Sequence, residues 1–238
     1  MKILITNDDG VMSPVLPLLA KWAEKLGEVT VVAPKVEQSG KSQAINFLNE
    51  IEITRVEIAP GILAYAVDST PADCVRFGVH GLKGGYDLII SGINRGYNLG
   101  DDIVYSGTCG AIFEGSRFGI KGLAISTEPD NLMNAPEHLD AVWQYIEENR
   151  LYDYNLLYNV NIPPCPNGFR ITKQGGVYYC DTFVQRDGVM YAQAGEVRKD
   201  CGTDPSTDIN TVRAGVISVL PLIATRTEMS VFERFNKT

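Results

Sequence analysis

Four short segments of the chain carry residues able to act on a charged substrate. The first is Asn7-Asp8-Asp9-Gly10, directly after the apolar run Ile3-Leu4-Ile5. Two carboxylates about 4 Å apart repel by about 4 kcal/mol at an effective dielectric of about 20. A divalent cation turns that repulsion into attraction. Taken alone, the same residues also make an ordinary surface turn. The second segment is Gln38-Ser39-Gly40-Lys41-Ser42. Its GKS triplet is not a P-loop, because the position five before Gly40 is Lys35 and the leading glycine is missing. A hydroxyl and free backbone N–H groups remain as its chemistry.

The third segment, Ser91-Gly92-Ile93-Asn94-Arg95-Gly96-Tyr97-Asn98-Leu99-Gly100, follows an apolar strand. Its glycines admit close backbone approach, and the Asn94 side-chain carbonyl is a hard oxygen donor suited to Mg²⁺ or Mn²⁺. The fourth, Tyr105-Ser106-Gly107-Thr108-Cys109-Gly110-Ala111, precedes a helix. A helix N-terminus offers N–H groups and a partial positive charge to a phosphate, although plain capping by Ser or Thr is the commoner use. Jointly the segments say more. Asp8, Asp9, Ser39 and Asn94 make an all-oxygen site for a divalent metal, and Ser106, Gly107 and Thr108 place an anion cradle beside it. That pairing points to phosphoryl transfer or phosphate-ester hydrolysis.

Other chemistries lack their residues. There are two histidines, His80 and His138, and no GxSxG elbow. Cys74 and Cys109 sit on apolar helix faces, as core residues do. The five cysteines form no CxxC pair, which favours reduced thiols and a cytoplasmic location. No signal peptide or membrane span is expected. The 21 basic and 29 acidic residues leave a net charge of −8, which argues against binding duplex nucleic acid.

The elements that must position these segments follow from periodicity. Residues 2–6 read as a strand, 14–26 as a helix closed by Gly27, and 28–33 as a second strand. Strand, helix, strand at this spacing is a βαβ unit of a parallel sheet. Residues 44–66 read as inserted antiparallel hairpins, and Thr70-Pro71-Ala72-Asp73 opens a helix with Thr70 as N-cap. Strands follow at 87–91, 122–126 and 156–162, and helices at 108–119 and 136–149. The stretch 92–107 reads as a glycine-rich loop. After residue 164 the texture turns to short β pieces over 169–194, a short helix capped near Ser206-Thr207-Asp208, and a strand at 215–219. The expected architecture is α/β, with a catalytic core over 1–164. A β-rich extension over 165–238 is expected to pack on a neighbour or make an oligomer contact. Ligands of open parallel sheets sit at the carboxyl ends of the strands, where the four segments lie.

In order and wording these segments closely resemble the SurE family, the survival-protein-E nucleotidases. The matching residues are NDDG at 7–10, QSGKS at 38–42, STPADCV at 69–75, SGINRGYNLG at 91–100, YSGTCGAIFEG at 105–115, NVNIP at 159–163 and TD at 207–208. The family usually has Gly where Ser69 stands and a small aliphatic residue where Cys109 stands. It also usually has Thr before the Pro of the 219–222 segment. The resemblance implies a three-layer, Rossmann-like αβα core. It implies a divalent-metal-dependent phosphatase acting on nucleoside 5′- and often 3′-monophosphates. Asp8, Asp9, Ser39 and Asn94 would hold one Mg²⁺ or Mn²⁺ ion, with Asp8, Asp9 and Asn94 catalytic. Phosphate contacts are expected from Asn7, Ser39, Gly40, Asn98, Ser106, Gly107 and Thr108. A homodimer with exchanged C-terminal segments, or a homotetramer, is also implied.

Two rival readings belong to other classes. A receiver-like signalling module also carries an acidic pair after its first strand. It needs an acceptor Asp after a middle strand, where this chain has Ser91-Gly92-Ile93-Asn94. A nucleotide-binding protein without catalysis is disfavoured by the full set of metal donors.

Overall fold

The structure, a computed structural model, describes residues 1–236. In chain order it comprises β1 (Lys2–Thr6), α1 (Leu16–Ala23), β2 (Glu28–Pro34), β3 (Ile53–Ala59), β4 (Ile62–Val67), α2 (Pro71–Arg76) and β5 (Leu88–Arg95). These are followed by α3 (Gly107–Ser116), β6 (Lys121–Thr127), α4 (Leu139–Glu148), β7 (Leu157–Ile162), β8 (Phe169–Ile171), β9 (Tyr179–Asp187) and β10 (Met190–Val197). The chain closes with α5 (Asp208–Arg213), β11 (Ile217–Leu222) and α6 (Met229–Phe235).

Nine strands form one sheet in the order β3-β4-β2-β1-β5-β6-β7-β11-β8. From β4 to β7 every neighbouring pair is parallel. The apolar strands alternate between two cores, as the period of two requires. Ile3 and Ile5 face one core with Leu16 and Leu19 of α1 and Leu139 and Val142 of α4. Leu4 faces the other with Cys74 of α2 and Ile112 of α3. Three layers result, with helices on both faces of the sheet. Strand β1 lies between β2 and β5, so the chain winds outward from it in both directions. The crevice at such a reversal, past the carboxyl ends of β1 and β5, is where open α/β sheets bind ligands.

Local expectations hold with shifted ends. Thr70 caps α2, its hydroxyl oxygen accepting from the Asp73 N–H. The insertion contains one hairpin, β3–β4, while residues 44–50 contain no strand because they lack an alternating apolar face. The stretch expected as a loop from residue 92 begins as strand. β5 runs on to Arg95, with a break in register against β6 between Ser91 and Asn94. The bulge lets one strand carry both a core segment and the Asn94 side chain.

An extension is expected over 165–238, and its described residues, 165–236, hold elements both inside and outside the main sheet. β8 and β11 complete the main sheet, β11 antiparallel to β7 and parallel to β8. The apolar run Ile217–Leu220 is buried throughout, so it reads as an interior strand and not as a surface arm. β9 and β10 instead form a separate antiparallel hairpin whose residues are mostly exposed.

Candidate active site

The chain leaves β1 in a turn that its own side chain builds. Asn7 Nδ2 donates to the Gly10 carbonyl at 2.9 Å, and Asn7 Oδ1 accepts from the Gly10 N–H at 3.2 Å. With its amide so engaged, Asn7 shapes the turn that projects Asp8 and Asp9. Three separate segments are then tied to this pair. The Gln38 N–H donates to the Asp8 carbonyl at 2.7 Å. The Arg95 N–H donates to Asp9 Oδ2 at 3.0 Å. Thr108 donates twice to Asp8, from its hydroxyl to Oδ1 at 2.7 Å and from its backbone N–H to Oδ2 at 3.2 Å.

Asp8 therefore acts as a cap on α3, supplied from a different strand. The approach needs Gly107, because a Cβ there would lie 2.9 Å from Asp8 Oδ2 and 3.0 Å from Asp8 Cβ. Only 5% of Asp8 is exposed. Burial pushes its pKa up to about 6, the Asp9 charge adds to the rise, and the Thr108 hydrogen bond opposes it. Asp9 is raised too, chiefly by burial and further by Glu37. The Arg95 N–H and guanidinium pull it back. Neither carboxylate forms an ion pair among the described residues.

Asp9, Ser13, Glu37, Ser39 and Arg95 line a cavity of about 490 Å³. Ser39 is exposed there and donates to Glu37 Oε1 at 2.7 Å. The Ser13 hydroxyl is buried and has no hydrogen-bond partner. Asn94 donates from Nδ2 to the Gly96 carbonyl at 2.7 Å, which turns its amide carbonyl toward other partners. Gly40 lines a neighbouring cavity that also contains Ser39.

The expected phosphate cradle is partly engaged already. Ser106 Oγ accepts from the Cys109 N–H at 3.0 Å, and both Thr108 donors serve Asp8. Among the described residues the Ser106 hydroxyl and the Gly107 N–H donate no hydrogen bond. Asn98 is held by β6 and β7. Its Nδ2 donates to Ser126 Oγ at 2.8 Å, and its backbone is gripped by Asn159 and Asn161.

Sequence reasoning passed over several supporting residues. Asn159 and Asn161 lie two apart in β7, a spacing that places both on one face, and they clamp Asn98 from below. Asp208 is fully buried and accepts from the N–H groups of Gly100, Gly175 and Ile209 at 2.8 Å each. Its signal was the Thr207-Asp208 pair where α5 begins. Glu37 and Arg95 carried no pattern beyond their place beside Ser39 and Asn94. Among the described residues no three His, Cys, Asp or Glu side chains cluster, so any metal here relies on Ser and Asn oxygens as well. The donor set fits a hard cation: two desolvated carboxylates that form no ion pair among the described residues, an amide carbonyl, a hydroxyl, and a cavity with an orphaned buried hydroxyl.

Fold and crevice together define a three-layer α/β protein with a buried acidic pair at the switch point of its parallel sheet. The profile described as Survival protein SurE matches residues 3–181. The chain belongs to that family. It is 39% identical to the protein named 5′-nucleotidase SurE of Syntrophotalea carbinolica, covering 98% of this chain and 95% of that one. Its identity to the protein of the same name in Geotalea uraniireducens is 40%, over 93% and 92% of the two chains. The crystal structure of the Sure protein from Aquifex aeolicus superposes with a TM-score of 0.79 at 31% identity, covering 98% of each chain.

Proposed function

We propose that the protein is a divalent-metal-dependent nucleotidase that hydrolyses nucleoside 5′-monophosphates, and 3′-monophosphates, to nucleoside and inorganic phosphate. The carrying observation is the convergence on the Asp8–Asp9 pair of three hydrogen-bonded segments, from the 38–42 loop, the end of β5 and the start of α3. Asp8, Asp9, Ser39 and Asn94 would hold one Mg²⁺ or Mn²⁺ ion. Such a cation, when bound, supplies charge neutralisation and Lewis-acid polarisation of the phosphoryl group.

The chain's own residues do the remaining work. Ser106 and Gly107 receive phosphoryl oxygens with the hydroxyl and N–H that the helix cap leaves available. The α3 dipole favours the anion there. Thr108 fixes both oxygens of Asp8, which supports a held ligand over an attacking nucleophile. Asp9, anchored through one oxygen to the Arg95 N–H, presents the other to accept a proton from attacking water. The test is phosphate release from a nucleotide panel with EDTA, then with Mg²⁺, Mn²⁺ or Zn²⁺ restored. Undiminished release in EDTA after dialysis would refute the metal requirement.

The reading extends to assembly and location. Phe183, Met190 and Tyr191 of the hairpin, and Phe232 and Phe235 of α6, are exposed apolar side chains. They support a homodimer or homotetramer built through the C-terminal elements. No helix among the described residues is long and apolar enough to cross a membrane. That fact and the acidic composition accompany our proposal of a cytoplasmic enzyme without duplex nucleic-acid partners.

A further inference from the structure

Ser39 lines two cavities. One is the crevice that holds Asp9. The other, about 660 Å³, is walled by Tyr105, Asp102, Tyr179, Asp181 and Gln193. Its residues come from two elements that the sequence separates widely. Asp102 and Tyr105 lie in a 3₁₀ turn over Gly100–Tyr105. Tyr179, Asp181 and Gln193 lie in the β9–β10 hairpin. The turn is fixed to the 38–42 loop, since the Ser42 N–H donates to the Tyr105 carbonyl at 2.9 Å. The hairpin is anchored at its root, where the Asp101 N–H donates to the Gly176 carbonyl at 3.1 Å.

Both tyrosine rings are accessible, Tyr105 at 62% and Tyr179 at 39%. The Tyr179 ring lies across the backbone of the partner strand: a Cβ on Gly195 would stand 2.6 Å from its Cε1. Any side chain there would collide with the ring, so the glycine leaves the space that the ring fills. Accessible aromatic faces are the usual platform for a nucleobase. The polar wall is rich in acceptors. Asp102 and Asp181 line the same cavity and lie close enough for their charges to oppose each other. Among the described residues no lysine or arginine lines the cavity. A base presenting several N–H groups matches such a wall, and one presenting mainly acceptors does not.

From this geometry we infer that the second cavity is the nucleobase subsite, with Tyr105 and Tyr179 stacking the base and Asp102 and Asp181 selecting guanine-type donor edges. The inference rests on the nucleotidase reading for the position of the phosphate at the Ser39 end. Guanine offers N1–H and the exocyclic N2 amino group together, the pattern that a carboxylate accepts in bidentate fashion. Hypoxanthine lacks the N2 amino group and is otherwise the same base, so GMP against IMP isolates one contact.

The test compares kcat/KM for GMP and IMP in the wild type, Asp102→Asn and Asp181→Asn. Calorimetry of guanosine and inosine binding runs in parallel. Wild type should prefer GMP by about tenfold, the size expected of one hydrogen bond to a charged acceptor. Either Asn variant should move the ratio toward one, because an amide NH₂ meets the base donors. Tyr105→Ala or Tyr179→Ala should weaken both nucleosides by about fivefold or more without changing their ratio. Equal handling of the two bases by the wild type, or a ratio that survives both Asn variants, overturns the inference. So does a carboxylate pair that proves to hold a cation. That would appear as lost manganese binding in the Asn variants, by electron paramagnetic resonance, with the base ratio unmoved. If the wild type releases no phosphate from p-nitrophenyl phosphate or any nucleotide, the nucleotidase reading fails. Guanosine and inosine binding still decides the subsite.

Discussion

At the scale of single residues, the site depends on how few atoms of the acidic pair are left free. Asp8 has both oxygens on Thr108, and Asp9 has one on the Arg95 N–H. Removing the Asp8 carboxylate takes away a strand-end ligand and also the repulsion with Asp9. Asp8→Ala should therefore abolish phosphate release, and because it also orphans the two buried Thr108 donors it should lower the melting temperature while the protein stays folded. Full activity in metal-reconstituted protein would contradict the assignment. Asn94→Ala removes one neutral donor and no charge. We expect a weaker metal requirement curve, shifted to higher Mn²⁺ by about tenfold, with activity recovered at saturation. A variant saturating at the wild-type metal concentration would exclude Asn94 from the site.

At the scale of elements, the site is held by buried groups that never touch a substrate. Asp208 satisfies three backbone N–H groups and so joins α5, the 96–100 loop and Gly175. Asp208→Ala leaves these donors without an acceptor and should cost about 3 kcal/mol or more in urea unfolding. Asp208→Asn keeps an acceptor oxygen and should lose less. Equal losses would show that packing, not hydrogen bonding, is at stake. On the opposite face, Asp140 of α4 accepts from Trp22 Nε1 at 2.8 Å and Lys25 Nζ at 2.9 Å. The Lys25 contact chiefly, and then Trp22, hold its pKa below the ordinary carboxylate range. A depressed folded-state pKa gives stability that is complete above the unfolded value and lost as pH falls through the folded one. Asp140→Asn should thus differ from wild type at neutral pH and converge with it in strong acid. A constant difference across the acid range would count against the linkage.

At the scale of the whole molecule, most of the chain closes around one sheet, and two elements are left outside it. The hairpin and α6 expose Phe183, Met190, Phe232 and Phe235 while the main sheet is covered on both faces. Elements of that kind gain stability by packing on another copy. The paired change Phe232→Asp and Phe235→Asp should lower the mass seen by light scattering toward 26.1 kDa. A wild type that already runs at that mass would remove the assembly proposal.

The residue order alone made the α/β class and the helix caps readable, because both depend on local periodicity and on side chains within a few positions of the backbone they serve. The Asp8–Asp9 pair and Ser106 were legible for the same reason, each lying at the end of a strongly patterned element. Other features were hidden. Ile217–Leu220 looks like any short apolar run. Its place between β7 and β8 depends on a pairing across more than fifty residues of chain. Thr108 was expected among the phosphate contacts, and its pairing with Asp8, one hundred residues earlier, is something no local segment shows. The grip of β7 on Asn98 is long-range in the same way. Short-range order is written in periodicity and capping, whereas the partners of a buried polar atom depend on which strands become neighbours. Strand adjacency is settled by packing the two cores around β1, a long-range outcome that no local segment encodes.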